Sequence, residues 1–208
     1  MAFLAWAAAR ELRALPNARV ELRWGWIALS VLALAILQAS HAGLWRLILA
    51  DLGARIPGWE SRAIWNVSQL ARYVPTGLLM AASRVVMAER AGVRPRTTVA
   101  SMIYELALAL VAASLIGAVF FIRIPAVESS PARFAIFLVP LAGLVLVHPR
   151  VFQPLADWAA RQTGRASVPL SMRAADIGSV TVLYGITFLI GGCGSLAMSA
   201  GLYPIEAS

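Results

Sequence analysis

The chain has 208 residues, of which 60% are hydrophobic and 13% charged, and its mean hydropathy is +0.76. A soluble domain averages roughly 45–50% apolar and about 25% charged residues. The composition therefore excludes a single water-soluble core and predicts an all-α, polytopic membrane protein. The net charge is +8, and all eighteen basic residues are arginines that flank apolar segments. This placement favours membrane lipids, anionic ones above all, as partners and argues against nucleic acid.

Residues 1–23 carry four arginines and are too interrupted by charge to span a bilayer. Their charges follow the short apolar run instead of preceding it, which is unlike a signal peptide. They predict an interfacial, N-terminal amphipathic helix. The first span is predicted over residues 24–45, because about 20 apolar residues cross roughly 30 Å of hydrocarbon. Tryptophans at both ends of that segment are typical of the interfacial aromatic belt.

The segment over residues 61–83 has a helical apolar pattern that polar residues interrupt. Its polar residues are Asn66, Ser68, Gln69 and Arg72. Pro75 and Gly77 follow and can bend a helix, because proline removes a backbone donor and glycine loosens the backbone. The segment could cross as a polar, bent helix that faces the protein interior. It could also enter and return on the same side, since broken backbone at membrane depth is tolerated inside protein.

Three further spans are predicted, over residues 97–122, 132–148 and 177–202. Residues 149–175 between the last two are polar and predict a cytoplasmic loop with a short amphipathic helix. In the last span, the GGCGS run with Ser195 and Ser199 places small residues on one face, as close helix packing requires. The single cysteine, Cys193, lies in this run, excludes an internal disulfide and is expected to be a small packing residue.

The arginine distribution indicates the orientation, because cytoplasmic loops are enriched in arginine. If residues 61–83 cross and the N-terminus is cytoplasmic, twelve arginines face the cytoplasm, five face outward and Arg72 lies within the membrane. If the segment returned instead, this asymmetry would collapse. The expectation is thus one helical membrane domain over residues 1–208 with about five transmembrane helices, one of them polar and bent, and a cytoplasmic N-terminus.

No soluble-enzyme motif is present: the sequence lacks the phosphate-binding, dinucleotide-binding, zinc-protease, nucleophile-elbow and CxxC patterns. His41 and His148 have no acidic or cysteine partners at ligand spacing. We therefore expect no catalytic residues, no metal site, no cofactor and no enzymatic activity.

Charged residues within the apolar segments are the strongest functional signal, because an unpaired charge in lipid costs several kcal/mol. Glu105 lies eight residues into its span, roughly 12 Å deep at about 1.5 Å per residue. Arg72 and Arg84 on the preceding element are its natural partners, and Tyr73 and Tyr104 could add hydrogen bonds. Two interpretations stay open. The pair could be a structural ion pair that fixes helix register, or it could line a polar cavity for a lipid headgroup, since arginine binds phosphate in a bidentate way.

The order of these motifs resembles the flippase-like transmembrane family, which includes the membrane half of lysylphosphatidylglycerol synthase and its stand-alone relatives. The resemblance rests on RYVPTG, an arginine, ERAGV and ASMIYE, and the matching positions are Tyr73, Pro75, Arg84, Gly92, Val93 and Glu105. VHPRVF at 147–152 is similar to a His-Pro-Arg segment after a later span of that family. The resemblance covers roughly residues 20 to 200. Thr76 departs from the family's Pro-Gly pair, and the chain is expected to lack the family's C-terminal part.

The resemblance implies a multi-pass protein of the bacterial inner membrane that binds or translocates an anionic or polyprenyl-linked lipid headgroup. Arg72, Arg84 and Glu105 would line the headgroup site. Tyr73, Pro75, Gly77 and Tyr104 would shape it. The alternative is a non-transporting membrane scaffold for a glycosyltransferase or lipid synthase, which would then be the protein partner. A membrane-embedded transferase is a third hypothesis, but no base and donor site accompanies it.

Overall fold

The computed structural model describes residues 22–73, 79–124, 131–162 and 172–202. These residues form seven α-helices and no β-strand. The helices are α1 Trp24–Asp51, α2 Gly58–Leu70, α3 Leu79–Arg90, α4 Pro95–Phe121, α5 Leu138–Val147, α6 Pro149–Gln162 and α7 Ala174–Leu202. Two short 3-10 segments, Ala71–Tyr73 and Pro131–Phe137, follow α2 and precede α5.

Helices α1, α4 and α7 are long and apolar enough to cross a membrane. They have 28, 27 and 29 residues, so each covers about 40 Å at about 1.5 Å per residue. A fourth candidate is the pair Phe134–Val147 and Pro149–Trp158, which is bent by 63°. The predicted all-helical fold is confirmed for the described residues, and the three long apolar helices fit a membrane protein. The count of about five spans is not confirmed, since the described residues offer three such helices, or four with the bent pair.

Helices α1 and α7 pack antiparallel along their length. At one end, the backbone N–H of Arg23 donates to the carbonyl of Gly201 at 3.0 Å. At the other end, the backbone N–H of Arg173 donates to Asp51 Oδ2 at 2.9 Å. The chain therefore enters α1 and leaves α7 at the same end of the bundle.

The close approach of α1 and α7 depends on glycines. A Cβ atom on Gly194 would lie 3.0 Å from a methyl group of α1, and one on Gly201 would lie 2.9 Å from Ile27 Cγ1. Small residues let helix backbones approach in a membrane, and the glycines of the last span do so here. Ser195 and Ser199, which were expected on the packing face, are exposed instead.

Helix α4 runs antiparallel to α1 and parallel to α7. Near its start, Ser101 Oγ accepts a hydrogen bond of 2.9 Å from the indole N–H of Trp45, close to the end of α1. Tyr104 Oη accepts one of 3.3 Å from the backbone N–H of Met172, just before α7. Helix α1 therefore ends, and α4 and α7 begin, at the same end of the bundle. We call this the hairpin end, after the α2–α3 hairpin described next, and we call the other end the opposite end.

Helices α2 and α3 form a hairpin between α1 and α4. They have 13 and 12 residues, so each covers roughly 20 Å at about 1.5 Å per residue, too little to cross. Ile56 before α2 and Val93 after α3 pack into one cluster with Leu49 and Ala88. Both feet of the hairpin thus lie at the hairpin end. The structure differs here from the single bent helix expected over residues 61–83: the described part of this segment belongs to two short helices, whose outer ends both lie at the hairpin end.

The other predicted elements lie around this frame. Span 132–148 corresponds to a 3-10 segment followed by the ten-residue α5, which packs on α4 so closely that a Cβ on Gly143 would meet Val111 Cγ2 at 2.5 Å. The expected amphipathic helix of the 149–175 loop is α6. The predicted N-terminal amphipathic helix lies almost entirely outside the described residues.

The outward faces of the long helices are apolar. Large hydrophobic side chains such as Leu106, Phe120 and Leu196 are more than two-thirds exposed. A soluble monomer rarely exposes so much contiguous apolar surface, whereas lipid tolerates it because the backbone groups are satisfied within the helices. The fold therefore places the hairpin beside a bundle with a lipid-compatible exterior.

Candidate functional site

A buried ion pair joins the hairpin to α4. Arg84, in the middle of α3, forms a salt bridge through Nη1 with Glu105 Oε2 of α4. Arg84 is only 1% exposed. A charge buried this deeply must be paired, because desolvating it alone costs several kcal/mol. Of the two arginines expected near Glu105, the structure places Arg84 on it.

Two tryptophans and a serine complete the surroundings of the pair. The indole N–H of Trp65 donates to Glu105 Oε1 at 2.8 Å, and Arg84 Nε donates to Ser68 Oγ at 3.0 Å. The guanidinium carbon lies 5.4 Å from the ring centre of Trp45 and 5.6 Å from that of Trp65. Both distances are within the range of cation–π attraction. Arg84 is therefore held by a carboxylate, a hydroxyl and two aromatic rings.

The sequence analysis missed these supporting residues. Ser61, Trp65 and Ser68 are buried on α2 at spacing i, i+4 and i+7, which is one face of a helix. Ser61 Oγ donates to the carbonyl of Ala42 at 3.3 Å. This spacing could have indicated from the sequence that one face of the polar segment is buried against protein. The contacts of the tryptophans with Arg84 could not have been predicted in this way, because they join separate elements.

A cavity of about 420 Å³ adjoins the ion pair. Its polar lining includes Arg84, Glu105, His41 and Tyr184, and its other walls are mainly apolar. Val99, Ile103 and Leu106 form one stripe of α4 at spacing i, i+4 and i+7, and all three are 45% exposed or more. The cavity therefore extends from a charged, polar interior to the apolar exterior of α4.

Tyr184 of α7 is a polar residue of the cavity lining whose hydroxyl has no hydrogen-bond partner in the described part of the chain. It is 0% exposed, and its hydroxyl has no hydrogen-bond partner among the described residues. Burying an unpaired hydroxyl costs roughly 1–3 kcal/mol, so such groups are rare in folded proteins. Its position in the cavity lining makes it a candidate ligand contact.

His41 of α1 also lines the cavity, beside Tyr184. Its ring stacks on Trp65 at 5.7 Å and contacts the ring of Tyr184 at 5.7 Å. Nδ1 lies 2.9 Å from the carbonyl oxygen of Leu37, and because a carbonyl only accepts, Nδ1 carries the hydrogen. The imidazole thus bridges the hairpin and α7 by ring contacts.

The remaining expected site residues are not gathered at the pair. Tyr104 is buried in the core, where its ring lies 4.3 Å from that of Phe152. Tyr73 is 85% exposed and lines a separate hollow beside Gln69. Arg72 lies in the 3-10 segment after α2, and its side chain is outside the described part of the structure. Pro75 and Gly77 also lie outside the described residues.

A second cluster of charged side chains lies at the hairpin end, between the end of α1 and the start of α7. Arg173 Nε donates to Asp51 Oδ1 at 3.1 Å and to Asp176 Oδ2 at 2.6 Å. These carboxylates raise the pKa of the Arg173 guanidinium, Asp176 more strongly than Asp51. The Arg173 side chain is 81% exposed, so solvent screens these contacts. This group ties the start of α7 to the end of α1.

Within the described ranges, no three metal-ligating side chains come close enough to hold an ion. Comparisons of the chain with protein families, with curated proteins and with solved structures find no match.

Proposed function

We propose that the protein binds the headgroup of a membrane lipid at the Arg84–Glu105 pair and moves it along the adjoining cavity, as a member of the flippase-like family would. The observation that carries the proposal is the combination of a buried ion pair with a cavity that reaches an exposed apolar stripe. A lipid has the matching chemistry, with one polar end and one apolar end. The residues that perform this function bind and orient; no covalent step is required.

The hairpin supports the proposal through its position. Its helices are too short to cross, and they carry Arg84 inward from the hairpin end. Irregular backbone at membrane depth is tolerated where protein or a cavity surrounds it, and in transporters such broken helices line the substrate site. The ion pair lies where the hairpin meets α4, so a headgroup in the cavity would contact both elements.

We further propose that the hairpin end faces the cytoplasm of a bacterial cell membrane. The expected orientation, with a cytoplasmic N-terminus, depended on residues 61–83 crossing. With the hairpin returning, most arginines of the described ranges flank the hairpin end, at 46, 55, 62, 90, 94, 96, 150 and 173. The positive-inside rule then favours a cytoplasmic hairpin end. The start of α1 and the end of α7 would both lie on the outer side.

Translocation in reconstituted vesicles tests the function. Tail-labelled fluorescent phosphatidylglycerol and monoglucosyl diacylglycerol are exposed in turn to a membrane-impermeant reductant. The accessible fraction of each lipid is followed over time in vesicles with the wild-type protein or with Glu105→Gln. We expect Glu105→Gln to slow translocation by about tenfold or more, because a charge-assisted hydrogen bond contributes roughly 1.5–3 kcal/mol. Glu89→Gln, the same change at an exposed position of α3, is the matched control.

Equal rates for Glu105→Gln and wild type, with both proteins folded, would remove the headgroup-site hypothesis. A protein that moves no lipid but retains a co-purifying glycosyltransferase or lipid synthase would instead be the scaffold of the alternative hypothesis. In that case changes in α6, not in the ion pair, should release the partner.

A further inference from the structure

The two members of the ion pair are unequally accessible from the cavity. The Glu105 side chain is 14% exposed, whereas the Arg84 side chain is 2% exposed. Arg84 is covered by Trp45 and Trp65 on its flanks and by Ser68 at Nε. A molecule that enters the cavity therefore meets the carboxylate before the guanidinium.

Glu105 retains the capacity to accept further hydrogen bonds. Its Oε1 accepts from Trp65 and its Oε2 from Arg84. An ionised carboxylate has about four lone-pair sites on its two oxygens. An incoming group that donates a hydrogen bond can use these sites without displacing either partner.

The Tyr184 hydroxyl supplies the second contact. Tyr184 lines the same cavity, and its fully buried hydroxyl has no hydrogen-bond partner among the described residues. A phenol can both donate and accept. A headgroup that carries hydroxyls matches both features, since a hydroxyl donates to Glu105 and exchanges a hydrogen bond with Tyr184.

We propose that the cavity binds a lipid whose polar end is uncharged and rich in hydroxyls, such as a polyol or a sugar. The inference rests on the proposed lipid-binding function and specifies the headgroup. A phosphate would face the carboxylate of Glu105, and like charges repel in a low-dielectric site. An ammonium group gains little, because Arg84 already compensates the charge of Glu105.

The tail of such a lipid would follow α4. Val99, Ile103 and Leu106 lead from the cavity to the exterior, and Leu106 is 72% exposed. Apolar contact along this stripe keeps the tail in hydrocarbon while the headgroup is in the cavity. The lipid therefore enters sideways from the bilayer.

Binding of three dioleoyl lipids to the full-length protein in phosphatidylcholine nanodiscs tests the inference. The probes are a monoglucosyl diacylglycerol, phosphatidic acid and a lipid with a primary ammonium head, and the bound lipid is counted by native mass spectrometry. Phosphatidylcholine is a suitable background because its headgroup has no hydrogen-bond donor. We expect the glucosyl lipid to bind about tenfold more tightly than either charged lipid.

Tyr184→Phe separates a binding role from a structural one. It removes only the hydroxyl, so we expect affinity for the glucosyl lipid to fall about threefold to tenfold, as for one hydrogen bond. Its thermal stability should be unchanged or higher, because an unpaired buried hydroxyl is lost. Tyr104→Phe is the matched control, since Tyr104 is equally buried but contacts Met172; its binding should equal that of the wild type.

The outcomes distinguish the inference from the function on which it rests. Tighter binding of phosphatidic acid or of the ammonium lipid, or a Tyr184→Phe protein with undiminished affinity for the glucosyl lipid, overturns the headgroup assignment and leaves lipid binding in place. Failure of all three lipids to bind above the phosphatidylcholine background overturns both.

Discussion

Removing one member of the buried ion pair should destabilise the fold far more than removing both. Arg84→Met leaves Glu105 as an uncompensated carboxylate, and Glu105→Leu leaves Arg84 as an uncompensated guanidinium. Breaking a buried pair in this way costs about 3–5 kcal/mol. Glu105→Leu also removes the acceptor of the Trp65 N–H, which adds roughly 1–2 kcal/mol. The double variant buries no charge, and apolar replacements of a buried pair are often close to neutral.

The free energy of unfolding, measured by titration with sodium dodecyl sulfate and followed by tryptophan fluorescence, gives the double-mutant cycle. We expect the double variant to be less destabilised than either single variant, with a coupling energy above about 2 kcal/mol. Arg173→Met is the control: the Arg173 side chain is 81% exposed, so its ion pairs are screened and its loss should change little. If the two single effects simply add in the double variant, the reasoning that Arg84 and Glu105 compensate each other is refuted.

Two further predictions concern the fold. In the same unfolding titration, Gly194→Ala should destabilise the α1–α7 contact by about 1–3 kcal/mol, because its Cβ would lie 3.0 Å from a methyl group. Gly192→Ala is the control: its Cβ would have nothing within 4 Å, so the change should be neutral or stabilising. A second prediction uses Arg55→Cys and Arg94→Cys, at the two feet of the hairpin, each in a Cys193→Ser background. Both cysteines should react with an impermeant maleimide from the same side of the membrane. Labelling from opposite sides would mean that the segment crosses.

The long spans could be predicted from the sequence because each contains its own signal. The apolar segments over residues 24–45, 97–122 and 177–202 correspond to α1, α4 and α7, and local hydropathy suffices to find them. Whether residues 61–83 cross could not be found in this way. A returning hairpin has the same apolar content as one bent span. Arginine counting favoured the crossing, but the count is circular. Which arginines lie on the same side of the membrane depends on whether the segment is assumed to cross.

The candidate site was predictable only in part. Charges in apolar segments must be paired, so the sequence predicted that Glu105 pairs with an arginine of the preceding element, Arg72 or Arg84. The structure shows the pair with Arg84. The Trp65 and Tyr184 contacts depend on how five helices, α1 to α4 and α7, meet, and the sequence alone does not indicate them. Tyr104 was expected at the site because it adjoins Glu105. Successive residues of a helix point about 100° apart, and the structure directs Tyr104 into the core instead.

A Tyr184→Phe substitution distinguishes an effect on ligand binding from an effect on folding better than substitutions of Arg84 or Glu105 do. Arg84 and Glu105 join the hairpin to α4, so a variant of either residue alters the scaffold and the proposed headgroup site together. A loss of lipid binding in such a variant would fit a structural pair as well as a binding pair. The Tyr184 hydroxyl makes no hydrogen bond to a described residue, and its removal therefore breaks no hydrogen bond seen in the fold. If lipid affinity falls in Tyr184→Phe while the unfolding free energy does not, the cavity beside the ion pair is a lipid-binding site.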